Sequence, residues 1–156
     1  DATRYFLAAR AANSQLTFDI NLALSQSNDN PVYYIQYAHA RACSVMRKMV
    51  EQGWEWSVQA GLANLDELTE EHEKALLRQL DRYPEVVAGA AEASEPHTVA
   101  TYLRELAGDF HTCYNAHKVL VDEPALRNAR VALSEAVRQV IANGLDLLGV
   151  SAPETM

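Results

Sequence analysis

The sequence of 156 residues has little of what builds disulfide frameworks, zinc sites or membrane spans. Its two cysteines, Cys43 and Cys113, lie far apart without paired spacing, so we interpret them as reduced thiols in a hydrophobic core. No stretch approaches the roughly 20 apolar residues needed to cross a bilayer, and no basic and then apolar leader opens the chain. We therefore expect a cytoplasmic protein that binds no membrane.

Strand-like alternation of apolar and polar residues is nearly absent, and there are only five prolines. Apolar residues recur at helical spacing instead. A content of 49% hydrophobic and 22% charged residues is typical of a globular domain, and the length suits one domain with a buried core. These features predict an all-α fold, an antiparallel helical bundle of five or six helices in a single domain over residues 1–156.

The first half of the chain is predicted to form three helical segments. The first helix spans residues 2–13, and a short segment follows over residues 18–27. A long helix begins at Pro31, with Asn30 as a plausible N-cap, and continues to about Gln52. Residues 53–68, which carry both tryptophans, are predicted to be a linker.

Proline and glycine also divide the second half. We expect Thr69 to cap a helix, and Gly149 to stop the last one. Residues 151–156 are predicted to form a tail. The four helices expected here span residues 69–82, 84–93, 96–121 and 124–148.

The net charge of −8 is unevenly distributed. Residues 1–50 carry a net charge of +2, residues 51–95 a net charge of −8 and residues 96–156 a net charge of −2. We call residues 51–95 the acidic segment. An overall negative charge argues at first against a nucleic-acid partner, because phosphate binding draws on lysine and arginine. Its concentration in the middle of the chain weakens that objection.

The long helix from Pro31 is predicted to have two faces. The core face carries Ile35, Ala38, Ala42, Val45, Met46 and Met49, with His39 beside them as a buried, hydrogen-bonded histidine. Aromatic rings and cations on the other face could stack on unpaired bases and neutralise phosphate. The alternative, which the pattern alone favours, is a solvated basic face whose tyrosines pack against a neighbouring helix. The second face consists of Tyr33, Tyr37, Arg41, Ser44, Arg47 and Lys48.

Tyr114 falls on the apolar stripe of the helix from Pro96, which by itself indicates a core aromatic with a hydrogen-bonded hydroxyl. Lys118 lies at the edge of this stripe and is free to reach solvent. His111 and His117 are six residues apart and not at the i, i+4 spacing of a helical metal site, so we expect no bound metal.

Arginines border the core stripe of the last helix. Such arginines usually extend along apolar surface and pair with carboxylates, and Arg130, nearest the stripe, is interpreted as structural. The bordering residues are Arg127, Arg130, Ser134 and Arg138.

Three segments together resemble the C-terminal region of arginyl-tRNA synthetases of the bacterial type. They are DATRYFLAAR at residues 1–10, SNDNPVYYIQYAHARACSVMRK at residues 27–48 and ALRNARVALSEAVRQVIANGLDLLGVSAPETM at residues 125–156. The last contains the element for which the DALR anticodon-binding domain is named, without its leading aspartate. It reads Ala125, Leu126, Arg127 after Glu123 and Pro124.

This resemblance implies a module that binds the anticodon stem-loop of an arginine tRNA, and no DNA. Tyr37, Arg41 and Arg47 look like the family's anticodon-side contacts. Tyr114 resembles the tyrosine that packs against an anticodon base, and Met156 resembles the terminal methionine that lies in the same pocket.

Lys118 departs from the family pattern, because some members place a second aromatic residue one turn after the tyrosine. A phosphate contact is therefore the hypothesis for this lysine. The resemblance also implies that residues 1–26 join the chain to an absent upstream catalytic domain, and that residues 27–156 form the DALR-type bundle.

Catalytic signatures are missing from the chain: it has no HIGH-like or KMSKS-like motif and no glycine-rich phosphate loop. We expect no cofactor in this chain, because ATP and magnesium would bind in the upstream domain of an arginine-tRNA ligase. The alternative is a helical protein-interaction module that uses its acidic segment to bind a basic partner. A free-standing helical enzyme ranks last.

Overall fold

A computed structural model describes residues 1–15 and 17–156 of the chain. These residues form eight α-helices and a 3₁₀ turn at Leu65–Glu67, and contain no strand, which confirms the all-α prediction. None of the helices described is long and apolar enough to cross a membrane. The helices are α1 (Ala2–Ala8), α2 (Ile20–Leu24), α3 (Pro31–Glu51), α4 (Val58–Leu62), α5 (Glu71–Asp81), α6 (Tyr83–Ala93), α7 (Pro96–Ala116) and α8 (Pro124–Leu147).

The centre of the bundle is formed by α3, α7 and α8, which pack on one another, while α5 and α6 pack on α7 and α4 packs on α8. Ile35, Leu103 and Ile141, one from each central helix, are fully buried. Gly144 permits a close approach, because a Cβ at this position would lie 2.6 Å from Leu103 Cδ2. The predicted core face of α3 is confirmed, with Met46 only half-buried.

Of the two predicted N-caps, Asn30 is confirmed in position and Thr69 is not. Asn30 occupies the N-cap position of α3, but its side chain does not cap the helix. Its amide donates to the carbonyl oxygens of Ala23, at 3.3 Å, and Ser25, at 2.8 Å, and so joins α2 to α3. Thr69 was wrong as the cap of α5, because Glu70 precedes that helix and forms a capping box with Glu73.

Several predicted boundaries were also wrong. Helix α1 ends at Ala8, before the chain returns to pack Phe18 edge-on against Phe6 at 5.7 Å. Helix α7 ends at Ala116, where His117 adopts an extended backbone. The predicted linker contains α4 and the 3₁₀ turn. These elements follow Trp56, whose indole N–H donates to the carbonyl oxygen of Asn128 on α8 at 3.3 Å.

The predicted stop at Gly149 is confirmed. Gly149 has a φ of +66°, and its N–H donates to the carbonyl oxygen of Asp146 while that of Val150 donates to Leu145. This pair of hydrogen bonds is a Schellman motif, which favours glycine because its backbone is left-handed. Val150 is buried, so the motif directs the chain back across the bundle into the tail.

Both cysteines are free and buried, as predicted. Burial raises the pKa of the Cys113 thiol to about 11 and also raises that of Cys43. A protonated thiol is a poor nucleophile and a poor metal ligand. Both residues therefore belong to the packing of the core.

Candidate nucleic-acid interface

One face of α3, the end of α7 and the C-terminal tail line an open cavity of about 390 Å³. Residues at i, i+3 and i+4 along α3 share a helix face, which explains how six lining residues come from this one element. We call this cavity the α3–tail cavity. It is lined by Tyr37, Ala40, Arg41, Ser44, Arg47, Lys48, Tyr114, Thr155 and Met156. Five of the six site residues predicted from the sequence therefore lie together.

Hydrogen bonds from α3 hold the tail against the helix. His39 Nδ1 lies 2.9 Å from the carbonyl oxygen of Pro153, and Arg47 Nη1 donates to that of Glu154 at 3.0 Å. Gln36 adds a bond to the carbonyl oxygen of Ser151 at 2.9 Å. His39 is buried and hydrogen-bonded, as predicted, and its partner is the tail. Met156 consequently lies at the mouth of the cavity, with 52% of its surface exposed.

Arg41 lies between two aromatic rings. Its guanidinium carbon is 4.5 Å from the centroid of the Tyr37 ring and 5.0 Å from that of Tyr114. Tyr33 stacks on Tyr37 with a centroid distance of 6.0 Å and an interplanar angle of 19°. Rings and a cation in this arrangement offer a base both a stacking surface and hydrogen-bond donors.

Tyr114 combines the two roles that the sequence left open. Its ring packs against Phe110 with a centroid distance of 5.7 Å, as a core residue does. It is only half-buried and lines the α3–tail cavity. No hydrogen bond to its hydroxyl is present in residues 1–15 and 17–156. The tyrosine therefore forms a boundary between core and cavity.

Lys118 lies outside the α3–tail cavity, and its predicted place on a helix was wrong. Because α7 ends at Ala116, Lys118 is in the following loop, where its carbonyl oxygen accepts a bond from Arg130 at 2.9 Å. Its side chain is exposed beside a neighbouring cavity of about 340 Å³. That cavity shares Tyr114 and Lys48 with the first.

The arginine border of α8 is structural, as the pattern indicated. Arg130 forms an ion pair with Glu73 on α5 at 2.7 Å, and the Glu73 side chain is only 1% exposed. Arg138 pairs with Glu135 on its own helix. Arg127 donates to two loop carbonyl oxygens and lies over the ring of Trp54 at 4.0 Å.

Two residues behind Arg41 were missed as parts of this site. His111 Nδ1 lies 3.1 Å and Asn115 Oδ1 3.2 Å from Arg41 Nη1. His111, Tyr114 and Asn115 stand at i, i+3 and i+4 along α7, and this spacing was the available signal. The sequence alone could not show that this face of α7 meets Arg41.

Comparison with known proteins identifies the family. The sequence profile of the DALR anticodon binding domain matches residues 35–156. The chain belongs to this family.

Relatives agree with that assignment. The chain is 60% identical over its whole length to an arginine–tRNA ligase of Thioalkalivibrio sulfidiphilus, and 54% identical to one of Legionella pneumophila, and it spans 27% of each. It is similar to the Thermus thermophilus arginyl-tRNA synthetase structure, with a TM-score of 0.84 and 36% identity over 99% of this chain and 26% of that one. A Plasmodium falciparum arginyl-tRNA synthetase, at 24% identity and a TM-score of 0.81 over 99% of this chain and 26% of that one, shares the fold.

Proposed function

We propose that this chain binds the anticodon stem-loop of an arginine tRNA and takes an unpaired base into the α3–tail cavity. The observation that carries the proposal is the placement of Arg41 between the rings of Tyr37 and Tyr114. Single-stranded loops of RNA are recognised by stacking on aromatic and guanidinium planes together with hydrogen bonds to base edges. Met156, at the mouth, supplies a flexible apolar contact to the base.

The cations around the cavity support an RNA ligand. Arg47 and Lys48 are exposed at its edge, and Lys118 is exposed beside the neighbouring cavity. Nucleotides that flank the bound base would place their phosphates against these side chains. We propose that Arg47 and Lys118 contribute mainly to affinity, and Tyr37, Arg41 and Tyr114 mainly to base recognition.

We further propose that the chain acts within an arginine-tRNA ligase of the cytoplasm. The chain spans 27% of the ligases it matches. In this proposal an upstream catalytic domain, joined through residues 1–26, activates arginine with ATP and magnesium. The contribution of this chain is binding energy and orientation, which hold the acceptor end of the tRNA productively in a distant site.

A direct binding measurement tests the proposal. The chain is titrated with an RNA hairpin carrying the anticodon loop of an arginine tRNA, and with a hairpin of the same stem carrying a non-cognate loop. We expect tighter binding of the arginine hairpin and an affinity that falls as salt concentration rises. Equal binding of both hairpins without salt dependence would contradict it. A pull-down with this chain that recovers a stoichiometric protein partner and no tRNA would instead support the interaction-module alternative.

A further inference from the structure

Two side chains of α7 hold the guanidinium of Arg41 from behind. His111 Nδ1 and Asn115 Oδ1 both lie within 3.2 Å of Arg41 Nη1. Neither partner is a carboxylate, so the charge of Arg41 is not neutralised by them. The orientation of the cation in the α3–tail cavity therefore depends on neutral acceptors.

The two ring nitrogens of His111 face groups of opposite kind. Nε2 lies 3.1 Å from the carbonyl oxygen of Tyr34, which can only accept a hydrogen bond. Nδ1 faces Arg41, whose guanidinium can only donate. Both contacts are satisfied only when His111 is neutral and carries its proton on Nε2.

The surroundings of His111 favour this neutral form. The residue is 6% exposed, and burial lowers the pKa of its imidazole below the ordinary value of 6.5. Arg41 also lowers this pKa, whereas the bond to the Tyr34 carbonyl opposes the shift. From α3 the ring also meets Tyr34 and Tyr37, with centroids 4.5 Å and 5.5 Å away. Arg41 is the one charged group among the described residues that perturbs it.

We propose that His111 is a positioning residue for RNA recognition, which in its neutral form accepts a hydrogen bond from Arg41 and keeps the guanidinium between Tyr37 and Tyr114. Protonation gives both ring nitrogens a hydrogen and places a second cation against Arg41. The contact then becomes repulsive, and the cavity loses its ordered donor. RNA binding by this chain is thereby linked to a proton, an inference that rests on the proposed function.

Two substitutions separate the two contacts of His111. In His111→Asn the amide oxygen occupies the region of Nδ1 and can still accept from Arg41, although the bond to Tyr34 is lost. In His111→Gln the amide nitrogen reaches the region of Nε2 and keeps the bond to Tyr34, but no acceptor faces Arg41. The affinity of each variant for the arginine hairpin is measured at about pH 7.5. We expect the glutamine variant to lose on the order of tenfold, and the asparagine variant to remain close to the wild-type protein.

A pH profile gives a readout that a merely structural role would not change. Between about pH 7.5 and about pH 5, the wild-type chain should lose more affinity than His111→Asn, because only the wild-type has this ring to protonate. The other four histidines are present in both proteins, so the difference between the profiles isolates His111. If the glutamine variant does not fold, the comparison of the wild-type and His111→Asn pH profiles still tests the role of His111.

The tautomer is observed directly by long-range proton–nitrogen NMR of the imidazole. A neutral ring with its proton on Nε2 at about pH 7.5 is expected. A proton on Nδ1, or a charged ring, would overturn the inference. The inference would also be overturned by a folded His111→Gln chain that binds like the wild-type, or by identical pH profiles of the wild-type and His111→Asn chains. Neither of these results would contradict the proposed function. A wild-type chain that binds no hairpin would overturn both.

Discussion

Cations on α3 and cations near the acidic segment have partners of different kinds. Arg41 is held by neutral acceptors and aromatic rings, and Arg47 donates to a backbone carbonyl oxygen. None of the α3 cations forms a salt bridge within residues 1–15 and 17–156. Near the acidic segment, by contrast, Arg78 and Arg130 pair with carboxylates. Positive charge on α3 therefore remains available for phosphate, although the whole chain carries a net charge of −8.

The acidic segment itself contains two kinds of carboxylate. Glu73 is buried in an ion pair with Arg130 and joins α5 to α8. Most of its other acidic residues, such as Glu92 on α6, are exposed to solvent. The acidic segment therefore contributes to stability through the buried Glu73 and to solvation through its exposed carboxylates, whereas the function that we propose for the α3 face is RNA binding.

The largest expected effect is on stability. Glu73→Ala leaves the largely buried Arg130 without its carboxylate and also removes the capping box with Glu70, so it should lower the free energy of unfolding by about 3–5 kcal/mol. The matched control Glu92→Ala should change it by less than about 0.5 kcal/mol. Urea denaturation followed by circular dichroism measures both values. Similar values for the two variants would show that the buried pair has no special role.

A second substitution tests the binding side of the comparison. Arg41→Ala removes a charged hydrogen-bond donor and a stacking plane, so affinity for the arginine hairpin should fall by roughly 10-fold to 100-fold. Arg78→Ala is the control, because Arg78 is 66% exposed and paired with Glu71 in the acidic segment. The affinity of both variants for the hairpin is measured by fluorescence titration, and that of Arg78→Ala should match the wild-type value. A comparable loss in both variants would mean that overall charge, and not the cavity, determines binding.

A smaller effect is expected from the tail. Removal of Met156 should weaken hairpin binding by about fivefold, since a single half-exposed apolar side chain is lost from the cavity. Unfolding should be unaffected, because the bonds to Pro153 and Glu154 remain. Leu147→Ala removes a similarly exposed apolar side chain from α8 and serves as the control. If truncation and control bind alike, Met156 has no part in the site.

The smallest effect is the dependence of stability on pH. The pKa of His111 is lowered on folding, so below about pH 6.5 the unfolded chain binds more protons than the folded one. The contribution of His111 to the free energy of unfolding is therefore fully present above that pH and is lost as pH falls further. His111→Asn should show a shallower decline in unfolding free energy over this range. Parallel declines would indicate that other groups account for the acid sensitivity.

Much of the site could be predicted because its parts are local. Tyr37, Arg41 and Arg47 share a face of α3 through helical periodicity, and the resemblance to a known family added Tyr114 and Met156. Lys118 was misplaced because the prediction extended α7 beyond Ala116. The loop that follows the end of α7 has carbonyl oxygens that accept hydrogen bonds from Arg127 and Arg130 on α8. Such contacts between different elements leave no periodic signal in the sequence.

The sequence by itself determined the long helices, their buried faces and the stop at Gly149, because spacing, proline and glycine act over a few residues. The tertiary structure alone decided where these faces meet. His39 reaches Pro153 across 114 residues, and Arg41 reaches His111 across 70. Contacts of that separation depend on the packing of α3 with α7 and the tail. The cavity and the neutral support of its arginine therefore exist only in the folded chain.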